Sequence, residues 1–322
     1  MLAQDARKPV SLLLPAVSLA TVLAACSGTV TPPAELKKTA MDCMQSQNYE
    51  CAENNWQDYL KQRPNDSEAL AALGIAQNKR DEDAQAIVQF QKAIAAGEGT
   101  YDLFYYYADS LAKTGKTDEA IDWYYKTLAI VPTLVDARGE LAKLLVKKQR
   151  YYEALALLAA FDAHMTAVGQ QPYFDGQRIA IETAMQQSNP ADSAEKTQIR
   201  LFKMDGNFMA PVTLGQARVT SFVVDTGATV TTLSDELLRE SKAKYEVVQP
   251  SMTATTADGR RIRAELINVD SIKVAGFELK DIPAMACAGC QLLFGQQALS
   301  HFDLSSTKAE GVEFLTLKPR KL

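Results

Sequence analysis

The sequence predicts a multidomain chain, in which an all-α solenoid of helical repeats is followed by an all-β domain. In the first half, small residues recur every 34 residues and bulky residues follow them at a fixed distance, as in stacked helical pairs. In the second half, short β-prone runs alternate with turn residues. Between the two lies a polar stretch that contains Asn-Pro, which is typical of a boundary.

The composition limits the classes of function. Of the 322 residues, 47% are hydrophobic and 23% charged, which is ordinary for a soluble globular protein of two domains. A net charge of −5 provides no basic surface for nucleic acid. The only histidines are His164 and His301, which leaves little material for a histidine metal centre or a Ser/His triad. The sequence also lacks a nucleotide-binding glycine motif, so no cofactor is predicted.

Residues 1–25 are interpreted as a targeting segment. Arg7 and Lys8 precede a mostly apolar stretch at 10–22, and L-A-A-C follows at 23–26. These four residues resemble a bacterial lipoprotein lipobox, and the resemblance implies cleavage before Cys26 and lipid on its thiol. A plain secretory signal with an incidental cysteine is the alternative.

The residues after the cysteine bear on which membrane the protein is attached to. Ser27 stands where an aspartate is the usual signal for retention at the inner membrane. The lipoprotein resemblance therefore implies a lipid anchor at the periplasmic face of the outer membrane, where two or three acyl chains give stable attachment. Residues 26–33 are expected to be the tether.

A helical repeat solenoid with a capping helix is predicted for residues 34–187. The phase is marked by alanines, by bulky residues four positions later and by small residues twelve positions earlier. The alanines are Ala52, Ala86, Ala120 and Ala154; the bulky residues are Trp56, Phe90, Tyr124 and Leu158; the small residues are Ala40, Gly74, Ala108 and Ala142. This pattern resembles the tetratricopeptide repeat family over about residues 33–167, and the resemblance implies a protein partner on the repeats. The stretch at 173–187 is expected to cap the solenoid.

The aromatic run D-L-F-Y-Y-Y at 102–107 has two interpretations. It is either a binding patch on the concave wall, to which Tyr105 contributes, or part of the core between repeats.

A linker is expected at 188–197 and an all-β domain at 198–322. Hairpins are predicted where β-prone runs flank turn residues, and a short helical segment is predicted after the first of them. The hairpins are 208–224 around Gly215-Gln216, 252–266 around Asp258-Gly259 and 272–282 around Gly276, and the helical segment is 234–241.

The centre of the β domain is F-V-V-D-T-G-A-T at 222–229. Asp225 follows an apolar run, where a carboxylate is costly unless it is paired or hydrogen-bonded. Gly227 allows backbone amides to close around it. A second segment, Gln291–Leu299, contains an apolar pair followed by Gly295 and a short helical pattern.

Together these segments resemble the retropepsin-like aspartic proteases over about residues 199–322. The resemblance implies a half-pepsin acid protease fold with aspartic endopeptidase activity. It makes Asp225 the catalytic acid and base, while Thr226 braces two loops and Gly227 keeps the turn open. It also implies that substrate contacts Ala228 and a closing flap, whose tip is Ala257, Asp258 and Gly259. A surface hairpin without a gating role is the alternative for the flap.

The chemistry requires two carboxyl groups. One takes a proton from water while its protonated partner stabilises the developing oxyanion. Two carboxyls about 3 Å apart share one proton because they cannot both ionise. Since the chain has a single D-T-G, the resemblance implies a homodimer in which a second copy supplies the other Asp225.

The subfamily and the function are both left open. Gln296 and Gln297 stand where the resembled family more usually has an Asp or Asn, which leaves the subfamily undecided. The competing hypothesis is a non-enzymatic scaffold lipoprotein with an inactive, dimerising β domain. A further possibility is a peptidase that cuts only itself or one protein presented by the solenoid.

Four further cysteines are expected to form two disulfides in an oxidising compartment, Cys43 with Cys51 and Cys287 with Cys290. Redox regulation of the protease is an alternative role for the second pair. A zinc site there would need two further ligands, and only His301 lies near in sequence.

Overall fold

The structure is a computed structural model that describes residues 31–188, 197–204, 206–255, 259 and 261–320. The predicted targeting segment with Cys26, most of the predicted linker, and the flap residues Ala257 and Asp258 lie outside the described residues.

The described chain is helical as far as residue 187, with nine helices joined by short turns. They are α1 (Pro33–Gln45), α2 (Tyr49–Gln62), α3 (Ser67–Lys79), α4 (Asp83–Ala95), α5 (Tyr101–Lys113), α6 (Thr117–Ile130), α7 (Val135–Lys147), α8 (Tyr151–Ala167) and α9 (Asp175–Gln187). The first helices of successive pairs begin 34 residues apart, and so do the second helices. The predicted helical repeats are therefore confirmed.

The repeat pattern arises from close contact within and between helix pairs. All four phase-marking alanines are fully buried. A Cβ atom at Gly74 would lie only 2.7 Å from Cε1 of Phe90, so the bulky residue of this pair fills the space beside the glycine. Side-chain caps help to start some helices: the Asp66 carboxylate, for example, accepts a hydrogen bond from Ala69 N at 3.0 Å.

The second half is a β domain with two short helices. Its elements are β1 (Ile199–Met204), β2 (Asn207–Leu214), β3 (Thr220–Val224), β4 (Thr231–Ser234), α10 (Asp235–Ser241), β5 (Tyr245–Thr255), β6 (Arg261–Val274), β7 (Phe277–Cys287), β8 (Leu293–Phe294), α11 (Gln296–Leu299), β9 (Phe302–Ala309) and β10 (Val312–Pro319). The strand order is β5-β6-β7-β4-β8-β3-β2-β1-β10-β9, and an additional β2–β6 pairing closes part of the sheet on itself.

The predicted hairpins are present, but their limits differ: β5, β6 and β7 are longer than predicted, and the single strand β6 belongs to both the second and the third hairpin. β2 and β3 pair antiparallel, but β3 begins at Thr220, whereas the sequence predicted a strand from Ala217. The connection is longer because it is held by other contacts: Gln216 N donates to Ser241 O at 2.6 Å and Ala217 N to Leu214 O at 2.9 Å. These bonds divert the backbone from the β ladder.

One hydrophobic cluster spans the solenoid and the face of the β domain that packs on it, while the sheet also has a cluster of its own. Helices α6 and α8 pack against β1, and α8 also packs against β2 and β3. The fully buried ring of Tyr125 lies 4.9 Å from the ring of Phe202 and 5.0 Å from that of Phe314. A polar contact also joins α9 to the β domain, since Arg218 Nε lies 2.8 Å from a Glu182 carboxylate oxygen. The strands that precede the D-T-G loop therefore rest on the last repeat.

Among the described residues, no helix is both long and apolar enough to cross a membrane.

Candidate active site

Strand β3 delivers Asp225 to the end of a buried ladder. β3 runs parallel to β8, and Val223 N donates to Leu292 O at 2.9 Å. Asp225 N continues this pattern by donating to Phe294 O at 3.1 Å. The backbone of Asp225 is therefore fixed by the neighbouring strand, while its side chain lies half-buried beyond the strand end.

The turn after Asp225 orients its carboxylate. Oδ1 accepts a hydrogen bond from Gly227 N at 2.8 Å, which is the bonding pattern of an Asx turn. A Cβ atom at Gly227 would lie 3.2 Å from the same oxygen, a close approach that glycine relieves. The turn thus fixes the direction of the carboxylate.

The segment that follows β8 supports this loop from beneath. A Cβ atom at Gly295 would lie 2.3 Å from Val230 O and 2.9 Å from Ala228 O, so only glycine fits between these carbonyls. Gln296 N donates to Ala228 O at 2.8 Å. The two separate sequence segments thus form one structural unit.

The side chain of Gln296 adds a contact that the sequence did not predict. Its Nε2 donates to Thr226 O at 2.6 Å. The sequence showed only that a glutamine replaces the more usual residue after Gly295. Its position directly after a glycine that must pack beneath the loop was the available signal.

The remaining predicted site residues lie on the same loop or near it. Thr226 and Gly227 are exposed, and Ala228 is half-buried. A depression of about 440 Å³ opens beside Thr226. Its other lining residues come from α11 with the residue after it, from β9 and from the C-terminal end: Gln296, Leu299, Ser300, Phe302, Asp303, Leu304 and Arg320.

The predicted flap is a hairpin of β5 and β6 paired as far as Thr255 and Arg261. Of its predicted tip residues, the structure describes Gly259, which is exposed with φ +83°. The ladder is interrupted by register shifts between Val247 and Met252. Such irregularities bend a strand and strengthen its twist. Its gating role stays a prediction.

Both cysteine pairs are disulfide-bonded, with Cα–Cα distances of 5.8 Å for Cys43–Cys51 and 5.6 Å for Cys287–Cys290. The second bond engages both sulfurs that the zinc alternative required. In the described part of the chain, no group of three or more His, Cys, Asp or Glu residues could hold a metal ion. The Cys287–Cys290 loop lines one side of a cavity of about 880 Å³, which α10 and the β5–β6 hairpin also line.

The aromatic run on α5 contributes mainly to the core between repeats. Phe104 and Tyr107 are buried, and the ring of each lies about 5 Å from that of Trp123, at 5.1 Å and 4.9 Å. Tyr105 is half-buried with its ring 5.9 Å from that of Tyr124, and burial raises the pKa of Tyr105 to about 12. A binding role for Tyr105 stays a prediction.

A known protein family matches part of the β domain. Residues 210–301 match the model of the gag-polyprotein putative aspartyl protease family. The matched range contains both the Asp225 loop and the Gly295 segment. The fold is a solenoid of tetratricopeptide-like helical repeats followed by a β-rich domain that matches an aspartyl protease family.

Comparison with curated proteins gives no match. Among solved structures, a retropepsin-like aspartic protease from Rickettsia conorii is 24% identical with a TM-score of 0.28, over 38% of this chain and 92% of that one. The MamA protein is 14% identical with a TM-score of 0.36, over 48% and 90% of the two chains. YrrB, described as a tetratricopeptide repeat protein with an unusual peptide-binding site, is 18% identical with a TM-score of 0.40, over 48% and 74%.

Proposed function

We propose that this protein is an aspartic endopeptidase that acts as a homodimer at the bacterial envelope. The observation that carries the proposal is the position of Asp225: it follows a buried strand, its Oδ1 is held by Gly227 N, and its loop rests on Gly295. A carboxylate whose direction is fixed by hydrogen bonds within its loop is suited to activate water.

In the proposed mechanism two Asp225 side chains share one proton. The ionised carboxylate takes a proton from water as the water oxygen bonds to the peptide carbonyl carbon. The protonated carboxyl of the other copy gives its proton to the carbonyl oxygen, which forms a gem-diol. The newly protonated carboxyl then passes its proton to the amide nitrogen, and the C–N bond breaks. The other carboxylate takes a proton from the gem-diol, so the dyad regains its starting charge.

The exposed surface around the loop supports the requirement for a second copy. Thr226 and Gly227 are exposed, so a second loop can approach them directly. A threonine hydroxyl can both donate and accept a hydrogen bond, which suits it to link two equivalent loops across a twofold axis.

The repeats and the N-terminal segment give the proposed setting. We infer that the solenoid recruits a substrate or partner protein, and that lipid on Cys26 holds the chain at the periplasmic face of the outer membrane. Attachment of both copies to one membrane raises their effective concentration and favours pairing.

The test is cleavage of a peptide library by the full chain in mild detergent, read by mass spectrometry from about pH 4 to 7, where a shared proton is expected to function. Asp225→Asn is the matched control because it keeps the size of the side chain and removes the charge. Cleavage that disappears in this variant supports the proposal.

No cleavage by a protein that is dimeric in the same buffer would contradict general proteolysis. It would leave the non-enzymatic scaffold, or a peptidase restricted to one partner. Incubation with proteins that co-purify with the chain separates these two, because a restricted peptidase cuts its partner and a scaffold does not.

A further inference from the structure

The connection from β7 to β8 contains the disulfide-bonded sequence C-A-G-C at 287–290. β7 runs parallel to β4, where Cys287 lies opposite Ser234. β8 lies between β4 and β3 in the sheet. These are the strands on either side of the D-T-G loop, since β3 ends just before Asp225 and β4 begins at Thr231. The disulfide therefore links two strands that both support this loop.

Strand β8 has only two residues, which is shorter than most strands, so its position depends on the chain at both of its ends. After β8, Gly295 is enclosed by the carbonyl oxygens of the D-T-G loop segment. Before β8, Leu292 O accepts the hydrogen bond from Val223 N at 2.9 Å, and Cys290 lies two residues earlier. The disulfide thus restrains the start of β8, and the glycine restrains its end.

The disulfide is open to solvent from one side. Cys287 is buried, with 2% of its surface exposed, whereas Cys290 is half-buried. Ala288 and Gly289 between them are exposed. The same loop borders the cavity of about 880 Å³ that α10 and the β5–β6 hairpin also line. A thiol from solvent can therefore approach the bond from the side of Cys290.

We propose that the Cys287–Cys290 bond is a redox modification site that controls the D-T-G loop. The protein is fully active when the bond is oxidised, and a dithiol lowers the activity by reducing it. This inference rests on the proposed function, since it concerns the activity of the same loop. It gives the C-A-G-C sequence a regulatory role and names a dithiol as the co-reactant.

The reaction is a thiol–disulfide exchange in two steps. A thiolate of the dithiol bonds to the Cys290 sulfur, the Cys287–Cys290 bond breaks, and the Cys287 sulfur leaves with the electron pair and takes up a proton. The second thiolate of the reductant then bonds to the first reductant sulfur, which releases the Cys290 sulfur to take up a proton. The protein gains two electrons and two protons, and the dithiol leaves as a disulfide.

Reduction frees the start of β8 while β7 stays paired with β4. The hydrogen bond from Val223 N to Leu292 O then loses its restraint, and with it the strand that leads to Asp225. Because a disulfide across so short a loop restrains the chain only modestly, kcat should fall about fivefold and should not vanish. KM should change less than kcat, since the effect reaches the substrate through the orientation of Asp225.

The test uses dithiothreitol as the reductant and two matched double variants of the full chain. In Cys43→Ser/Cys51→Ser, which removes the disulfide between α1 and α2, kcat should fall on reduction and recover on reoxidation. In Cys287→Ser/Cys290→Ser, kcat should be low from the start and insensitive to dithiothreitol. Alkylation of free thiols followed by mass spectrometry verifies the redox state. If the second variant does not fold, the reversible change in the first still decides the proposal.

Hydrogen exchange of the Cys43→Ser/Cys51→Ser protein gives a readout that does not need activity. Reduction should speed exchange at Val223 and Asp225 and leave α3 unchanged. A bond that dithiothreitol does not reduce, or reduction that leaves both kcat and this exchange unchanged, would overturn the redox site and leave the proposed function standing. A chain that cleaves in neither redox state would overturn the proposed function, and the exchange at Val223 and Asp225 would then decide by itself whether the disulfide controls the loop.

Discussion

At the scale of single residues, Gln296 joins the two halves of the candidate site. Its side chain donates to Thr226 O and its backbone N–H donates to Ala228 O. One residue thus holds the D-T-G loop at two points. In the proposed mechanism it would act through the loop, as a positioning residue.

Replacement of Gln296 should therefore lower activity without unfolding the protein. A neutral hydrogen bond contributes about 1 kcal/mol, so Gln296→Ala should lower kcat/KM about fivefold. Gln296→Glu should lower it further at neutral pH, because a carboxylate cannot donate to Thr226 O. Peptide cleavage kinetics measure both effects.

Gln297→Ala is the control, because the only bond of Gln297 to the loop is from its backbone N–H to Thr229 O at 3.1 Å. Equal losses for Gln296→Ala and Gln297→Ala would show that the side-chain bond to Thr226 has no special role.

Gly295 should be the least replaceable residue of the site. The Cβ atom of Gly295→Ala would overlap Val230 O at 2.3 Å, and backbone atoms cannot rotate away. We expect a loss of about 3 kcal/mol or more in the free energy of unfolding. Urea denaturation of the variant measures this loss.

The control is Gly176→Ala in α9, where a Cβ atom meets nothing within 4 Å. It should be neutral or stabilising by up to about 1 kcal/mol. A Gly295→Ala protein as stable as Gly176→Ala would mean that the loop can move away from α11.

The sequence predicted the residues of the loop because D-T-G and Gly295 are marked by composition and order. It did not predict the Gln296 side-chain bond, because that bond joins residues 70 positions apart and depends on how α11 is placed under the loop. A glutamine in sequence has many possible partners. Only the folded structure determines that the partner of Gln296 is Thr226.

At the scale of elements, Asp66 shows how a helix start couples to pH. Its carboxylate caps α3 and also accepts a hydrogen bond from the Tyr59 hydroxyl at 2.7 Å. Burial opposes ionisation of Asp66, but these hydrogen bonds and the charges of Lys37 and Arg63 lower its pKa overall.

Because folding lowers the pKa of Asp66, the ionised carboxylate stabilises the folded state. This stabilisation is fully present above the ordinary Asp pKa of about 3.9, and it is lost as the pH falls through the lower folded-state pKa. Asp66→Ala should therefore cost about 1 kcal/mol at neutral pH and less in strong acid. Asp66→Asn keeps the cap without the charge, so it should be less sensitive to pH than the wild type. Thermal unfolding at several pH values measures this, and an acid-independent cost of Asp66→Ala would refute it.

Element prediction succeeded where a period repeats and failed where contacts are remote. The 34-residue period predicted the positions of the helix pairs, because each pair repeats the same contact between small and bulky residues. The packing of α8 on β1, β2 and β3 was not predicted. A signal was present in the sequence Y-E-A-L-A-L-L-A-A-F at 152–161, which is apolar on nearly every face and is typical of a helix covered on both sides.

At the scale of the whole molecule, the hydrophobic cluster that spans the two halves implies that the solenoid and the β domain unfold together. Phe314 is fully buried against Tyr125, so one side chain stabilises both halves. Phe314→Ala should cost about 3–5 kcal/mol, as is usual for a buried aromatic residue.

Hydrogen exchange can test this coupling. In Phe314→Ala, the free energy of opening measured by hydrogen exchange should fall by the same amount in peptides from α8 and in peptides from β1. As a control, Phe277→Ala changes a half-buried ring that packs within the β domain, 6.3 Å from the ring of Phe302. Loss of protection confined to the β domain in Phe314→Ala would show that the two halves unfold independently.

The exact 34-residue spacing of the helix pairs also makes the first part of the solenoid a spacer of adjustable length. The β domain contacts α6, α8 and α9, whereas α1 and α2 lie at the other end of the repeat stack. Removal of residues 67–100 would shorten the stack by one pair and leave the surface beneath the Asp225 loop unchanged. If the chain is the envelope-tethered peptidase proposed above, the number of repeats would set how far from its attachment point a substrate is cut.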